Sequence, residues 1–143
     1  MVNENSLKIS CFDSVAYEPP KWLCKPYFPI GKLTLVQGDP GTGKTAFMCK
    51  MAALTSTGGK FLNNEVARGN VLILSTEDDC STLRGRIEAG GGDLTKCFFL
   101  EESYAVTFTH PDLQRVIEQV QPKLVVFDPI QSFFGADINT NLS

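Results

Sequence analysis

At 143 residues and 43% hydrophobic, the chain has the length and composition of one compact domain with enough apolar material for a core. Its 13 basic and 16 acidic side chains leave a net charge of -3, which excludes a uniformly basic nucleic-acid surface while leaving room for one locally basic face. Five scattered cysteines, none in a C-x-x-C pair, indicate neither a disulfide framework nor a zinc site, and no run approaches the about 18 apolar residues of a membrane span, so a soluble protein of the reducing cytoplasm is expected.

Residues 1–18 read as a lead-in, and Pro19, Pro20, Pro26 and Pro29 favour extended or turning backbone over helix. Leu33 to Gln37 (LTLVQ) is a short β-prone run ended by Gly38, and a helical pattern from Thr45 runs to the stop at Gly58 and Gly59. Val71 to Ser75 (VLILS) is continuously apolar, as expected of a strand covered on both faces. Ser81 is the expected N-cap of a helix reaching about Ala89, which Gly90, Gly91 and Gly92 terminate. CFFLE at 97–101 is a further candidate strand. Pro111 suits the first turn of a helix whose Leu113, Val116, Ile117 and Val120 share one face, and Leu124 to Phe127 forms a last apolar strand ending at Asp128. Strands alternating with helices predict an α/β fold, a mainly parallel sheet with helices on both faces.

Between the first strand and helix lies QGDPGTGKT, in which Gly38, Gly43, Lys44 and Thr45 satisfy G-x-x-x-x-G-K-[ST], the phosphate-cradling P-loop pattern. Glycines let successive backbone N–H groups turn inward on phosphate oxygens at the positive end of the helix dipole. The loop Gly38, Asp39, Pro40, Gly41, Thr42, Gly43, Lys44, Thr45 and Ala46 is therefore the expected nucleotide-binding segment. Lys44 would reach the β and γ phosphates, and the Thr45 hydroxyl would be a Mg²⁺ ligand.

Hydrolysis also needs a carboxylate for the metal's shell and a group to orient water. Asp128, delivered by LVVF, would hold Mg²⁺ through water. Glu77, delivered by VLILST to the carboxyl edge of the sheet, is the expected water-polarising residue and joins Lys44 as a catalytic candidate. Asp78 and Asp79 read as acids favouring a helix N-terminus, and His110 as part of a helix start with no chemical role. Arg86 presents a planar guanidinium that could stack on adenine.

Taken in order, PKWLCKPYFPIGKLTLVQGDPGTGKT, GNVLILSTEDD with LRGRIEAGGGDLTKCFFLEE, and LVVFDPIQSFFGADINTN resemble the RecA-like AAA family ATPases of bacteria and phages, a group that includes RepA-type hexameric plasmid helicases and is related to DnaB-type replicative helicases. The resemblance covers about residues 19–141 and implies a three-layer P-loop fold over 19–143. Gly38–Ala46 resemble the Walker A loop, Glu77 the catalytic glutamate and Asp128 Walker B. Arg86 is similar to an arginine that packs on adenine in the DnaB-type enzymes. Asp137–Asn141 resemble the start of a region facing the centre of a ring. ATP, Mg²⁺, assembly into a homohexamer and single-stranded DNA are the ligands and partners the resemblance implies.

Family members continue past Ser143 with a strand that lies between the Walker A and Walker B strands, so the domain is expected to be partial. In its absence, the Leu33 and Leu124 strands must leave a gap, pair directly, or borrow a strand from another copy. Three functional readings follow. The first is a DNA-coupled ATPase of helicase type. The second is a nucleotide-dependent regulatory or assembly module that does not touch DNA, or a truncated form that binds without hydrolysing. The third, a small-molecule P-loop kinase, is disfavoured because no arginine-bearing lid is visible.

Overall fold

The computed structural model describes residues 6–136. Strands β1 (Trp22–Cys24) and β2 (Phe28–Pro29) form an antiparallel hairpin ahead of helix α1 (Lys44–Thr57). A second small hairpin, β3 (Lys60–Phe61) with β4 (Asn64–Glu65), follows α1. Strand β5 (Asn70–Ser75), helix α2 (Cys80–Ala89), strand β6 (Cys97–Phe99), helix α3 (Pro111–Val120) and strand β7 (Pro122–Asp128) complete the order.

β5, β6 and β7 make a three-stranded, wholly parallel sheet in the order β6-β5-β7. Side chains alternate across it as the pleat demands. Val71 and Ile73 of β5 and Leu124 and Val126 of β7 face a layer formed by Met48, Cys49, Ala52 and Ala53 of α1 with Leu83 and Ile87 of α2. Leu72, Leu74, Val125 and Phe127 face the other way, onto Leu113, Val116, Ile117 and Val120 of α3 and onto buried Phe133. The result is helix, sheet, helix, the α/β arrangement expected from the alternating pattern. α3 shows the expected apolar face, starts at Pro111 and closes at Gln121 in a left-handed conformation.

A third apolar cluster, Leu23, Cys24, Met51 and Val66, binds the first hairpin to the back of α1. Ala67 N–H donates to the Leu23 carbonyl at 2.8 Å, tying the two hairpins together. Ser6–Pro20 is exposed throughout.

The expected strand at Leu33–Gln37 is not formed. No ladder pairs it with any other strand among the described residues, and Leu33, Leu35 and Val36 are exposed at 78%, 63% and 48%. Its β propensity is real, but propensity is realised only against a neighbouring edge, and β7, whose outer edge is free of the three-stranded sheet, does not pair with it. Of the three outcomes open to these two segments, direct pairing is therefore excluded. The strand expected at 97–101 is limited to Cys97–Phe99, and Asp137–Asn141 lies outside the described residues. No helix among the described residues is long and apolar enough to cross a membrane.

Candidate functional site

The glycine loop joins the exposed run before it to the first turn of α1. Gly41 and Gly43 hold φ of +80° and +92°, the left-handed region that side chains resist, and a Cβ on either would meet nothing within 4 Å. Backbone conformation, and not crowding, demands glycine there. Gly38 differs, since a Cβ on it would lie 2.8 Å from Thr42 Oγ1. The Asp39 carbonyl accepts from Thr42 N–H at 3.2 Å and from Thr42 Oγ1 at 2.7 Å, which closes the loop into a tight turn over Pro40. Lys44 folds back across it, with Nζ donating to the carbonyls of Gly38 and Asp39 at 2.5 and 2.8 Å.

α1 begins with Gly43 as N-cap, and no side chain caps it. Its first internal bond runs from Phe47 N–H to Gly43 O at 2.9 Å, so the N–H groups of Lys44, Thr45 and Ala46 have no partner within the helix. Those donors sit at the positive end of a 14-residue dipole, a setting chemically suited to an anion.

The two acids expected from strand ends are brought together. Ser75 and Asp128 are register partners at the ends of β5 and β7. One residue on, Thr76 N–H donates to the Asp128 carbonyl at 3.0 Å, and Thr76 Oγ1 meets Ser132 Oγ at 2.8 Å. This latch launches exposed Glu77 beside Asp128. Burial pushes the Asp128 carboxyl up, Glu77 and Asp78 add to the push by charge repulsion, and the Thr45 hydroxyl and Lys44 ammonium oppose it. Thr45 and Lys44 in the first turn of α1 and Glu77 and Asp78 just past the end of β5 thus all act on the one carboxyl group at the end of β7. Asp128 Oδ2 is buried and makes no hydrogen bond among the described residues. An orphaned carboxylate oxygen beside the Thr45 hydroxyl fits the shell of a hard divalent cation. No cluster of three or more His, Cys, Asp or Glu at metal spacing exists among the described residues. Such an ion would therefore draw on Thr45, on Asp128 through water, and on oxygens of a ligand.

Two details differ from expectation on the α2 side. The N-cap is Asp79, one residue before the helix, and not Ser81: its carboxylate accepts from Thr82 N–H at 2.9 Å and from Thr82 Oγ1 at 2.8 Å, which holds it below the ordinary carboxylate range. An ionised carboxylate accepts two donors where a serine hydroxyl would take one. Asp78, read from sequence as another helix-end acid, instead pairs with Arg86, Nη1 to Oδ2 at 3.4 Å. The sequence signal for that pair is weak because eight positions separate the partners across a helix start, outside any helical period. The Thr76–Ser132 latch joins residues 56 positions apart and leaves no local pattern in the sequence. His110 caps α3, its Nδ1 accepting from Asp112 N–H at 3.1 Å, in keeping with a helix start.

A family model described as an AAA domain matches residues 4–143. The chain belongs to that AAA domain family. Among curated proteins, this AAA domain is 28% identical over 109 residues to the DNA repair protein RadA of Streptococcus pneumoniae, covering 76% of this chain and 22% of that protein. Its identity to the DNA repair protein RadA of Mycolicibacterium smegmatis is 31% over 105 residues, 71% of this chain and 19% of that protein. The chain thus spans about a fifth of the length of the curated relatives it matches. No solved structure matches it. Family and fold together support a RecA-like P-loop ATPase architecture; the RepA-type or DnaB-type branch is not separately supported.

Proposed function

We propose that the chain is the nucleotide-binding part of a RecA-like P-loop ATPase that takes ATP with Mg²⁺ and works on DNA. The observation that carries the reading is the meeting of an uncapped helix end, bearing Lys44 and Thr45, with the orphaned Oδ2 of Asp128. Backbone N–H groups from Gly41 to Ala46 would hold the phosphates. Lys44 would exchange the Gly38 and Asp39 carbonyls for β and γ phosphate oxygens, and it is free to do so because neither partner is charged. Mg²⁺, held by Thr45 and by Asp128 through water, would neutralise charge on those oxygens. Glu77, exposed beside Asp128, would orient the attacking water. Arg86 would offer its guanidinium plane to adenine.

The DNA reading rests on the relatives named DNA repair proteins and on the resemblance to ring helicases; a homohexameric, cytoplasmic assembly acting on single-stranded DNA is the finer form of that proposal. The test of the core reading is calorimetric titration with ATP and Mg²⁺. Saturable binding by the unaltered chain, abolished in Lys44→Ala with the fold retained, is the expected result. Equal affinity in the two proteins removes the cradle and everything built on it.

A further inference from the structure

We propose that Asp78 is a positioning residue for nucleotide recognition: its carboxylate grips Arg86 by one edge nitrogen and fixes the guanidinium so that its flat faces are left for an adenine ring. The inference rests on the nucleotide reading above and adds to it a residue for which that reading had no use.

Asp78 leaves the end of β5 in the bend that carries Glu77, and its N–H donates to Ser75 Oγ at 3.3 Å, so its backbone is tied to the last residue of the strand. The strand in turn is locked to β7 by the Thr76 and Ser132 contacts. From this support the carboxylate reaches across the first turns of α2 to Arg86 Nη1. The acid is the more enclosed partner, with 26% of its side chain exposed against 45% for the arginine. A half-exposed arginine held at a single nitrogen keeps its remaining donors outside that contact.

The pair also lies close to the loop helix. Cys49, buried in α1 one turn beyond Thr45, has its thiol pushed up by burial, while Arg86 acts against that push and Asp78 and Asp128 add to it. Arg86 lies between Leu83 and Ile87 of α2, which share one apolar cluster with Met48 and Cys49 in the stretch of α1 that follows the glycine loop. An unanchored arginine loses rotamer freedom when a base stacks on it; one already gripped loses less, and affinity rises accordingly.

Inorganic tripolyphosphate and ATP, each with Mg²⁺, separate the base from the phosphates, since the first can use only the loop. In Asp78→Asn we expect ATP affinity to fall about fivefold to tenfold while tripolyphosphate affinity changes less than about twofold. Asp78→Glu, which keeps the charge, should restore ATP affinity. Unchanged ATP affinity in Asp78→Asn overturns the proposal, and so does an equal fall for both probes, which would mark the ion pair as support for the loop or the fold. Binding of neither probe by the unaltered chain overturns the nucleotide reading itself, and the role of Asp78 with it.

Discussion

The carboxyl of Asp128 closes a half-buried strand with Glu77 and Asp78 as acidic neighbours, so burial and two like charges all oppose its ionised form. A group whose folded pKa is raised binds its proton more tightly in the folded state. Stability is then fullest below the ordinary carboxylate value of 3.8 and declines as pH rises from there through the folded value. At neutral pH the ionised acid is a standing cost to the ligand-free fold, of the kind functional sites retain. Asp128→Asn should therefore raise the melting temperature of the ligand-free protein at pH 7 by about 1–3 °C, with the gain vanishing below pH about 4. Thermal melts at the two pH values check this, and a variant less stable than its parent at pH 7 contradicts it. The acid itself was legible in the sequence because an apolar run delivers it to a sheet edge. Its neighbour Asp78 was not, since the pairing with Arg86 depends on where a bend sends the side chain, which no periodicity encodes.

Among the secondary-structure elements, glycines show how much packing adds to local preference. Gly92, just after α2, faces α1 so closely that a Cβ would meet Ile87 Cγ2 at 2.5 Å and the Ala53 Cα at 3.1 Å. Gly85, inside α2, has nothing within 4 Å of the same position. Gly92→Ala should lower unfolding stability by about 1–3 kcal/mol through overpacking, whereas Gly85→Ala should raise it by about 0.5–1 kcal/mol through helix propensity. Urea midpoints measure both, and loss of stability in the second or none in the first contradicts the account. From sequence the three glycines at 90–92 were readable as a helix stop but not as a contact surface. Helices α1 and α3 and strands β5 and β7 were readable because each carries a continuous or periodic apolar pattern bounded by Gly or Pro. The hairpins at 22–29 and 60–65 were not, because strands of two or three residues are too short to show alternation. Leu33–Gln37 misled in the opposite sense: its pattern is a strand's, but the partner edge that would make it one is not supplied among the described residues.

For the molecule as a whole, a sheet of three parallel strands is covered on both faces, while the run that feeds the glycine loop lies outside it. Backbone amides of Leu33–Gln37 lack ladder partners, and those of Val71–Leu74 are both laddered and buried. Hydrogen exchange should follow that division, with the first set exchanging far faster than the second and with added ATP and Mg²⁺ slowing the amides of Thr42–Ala46. Comparable protection in the two sets would mean that the run is paired in solution. The net charge of -3 is spread over a chain whose site gathers Glu77, Asp78 and Asp128, so the cations Lys44 and Arg86 carry the local burden of attracting a polyanion.

That unladdered run has a mechanical corollary. A loop flanked by a strand on one side and a helix on the other is clamped at both ends; this one is clamped at its downstream end, through Met48, Cys49 and Ala52 of α1 seated against the sheet. Trimming the side chains of Met48 and Cys49 to alanine should slacken the anion cradle more than the same change at Leu33, Leu35 or Val36, which are far more exposed.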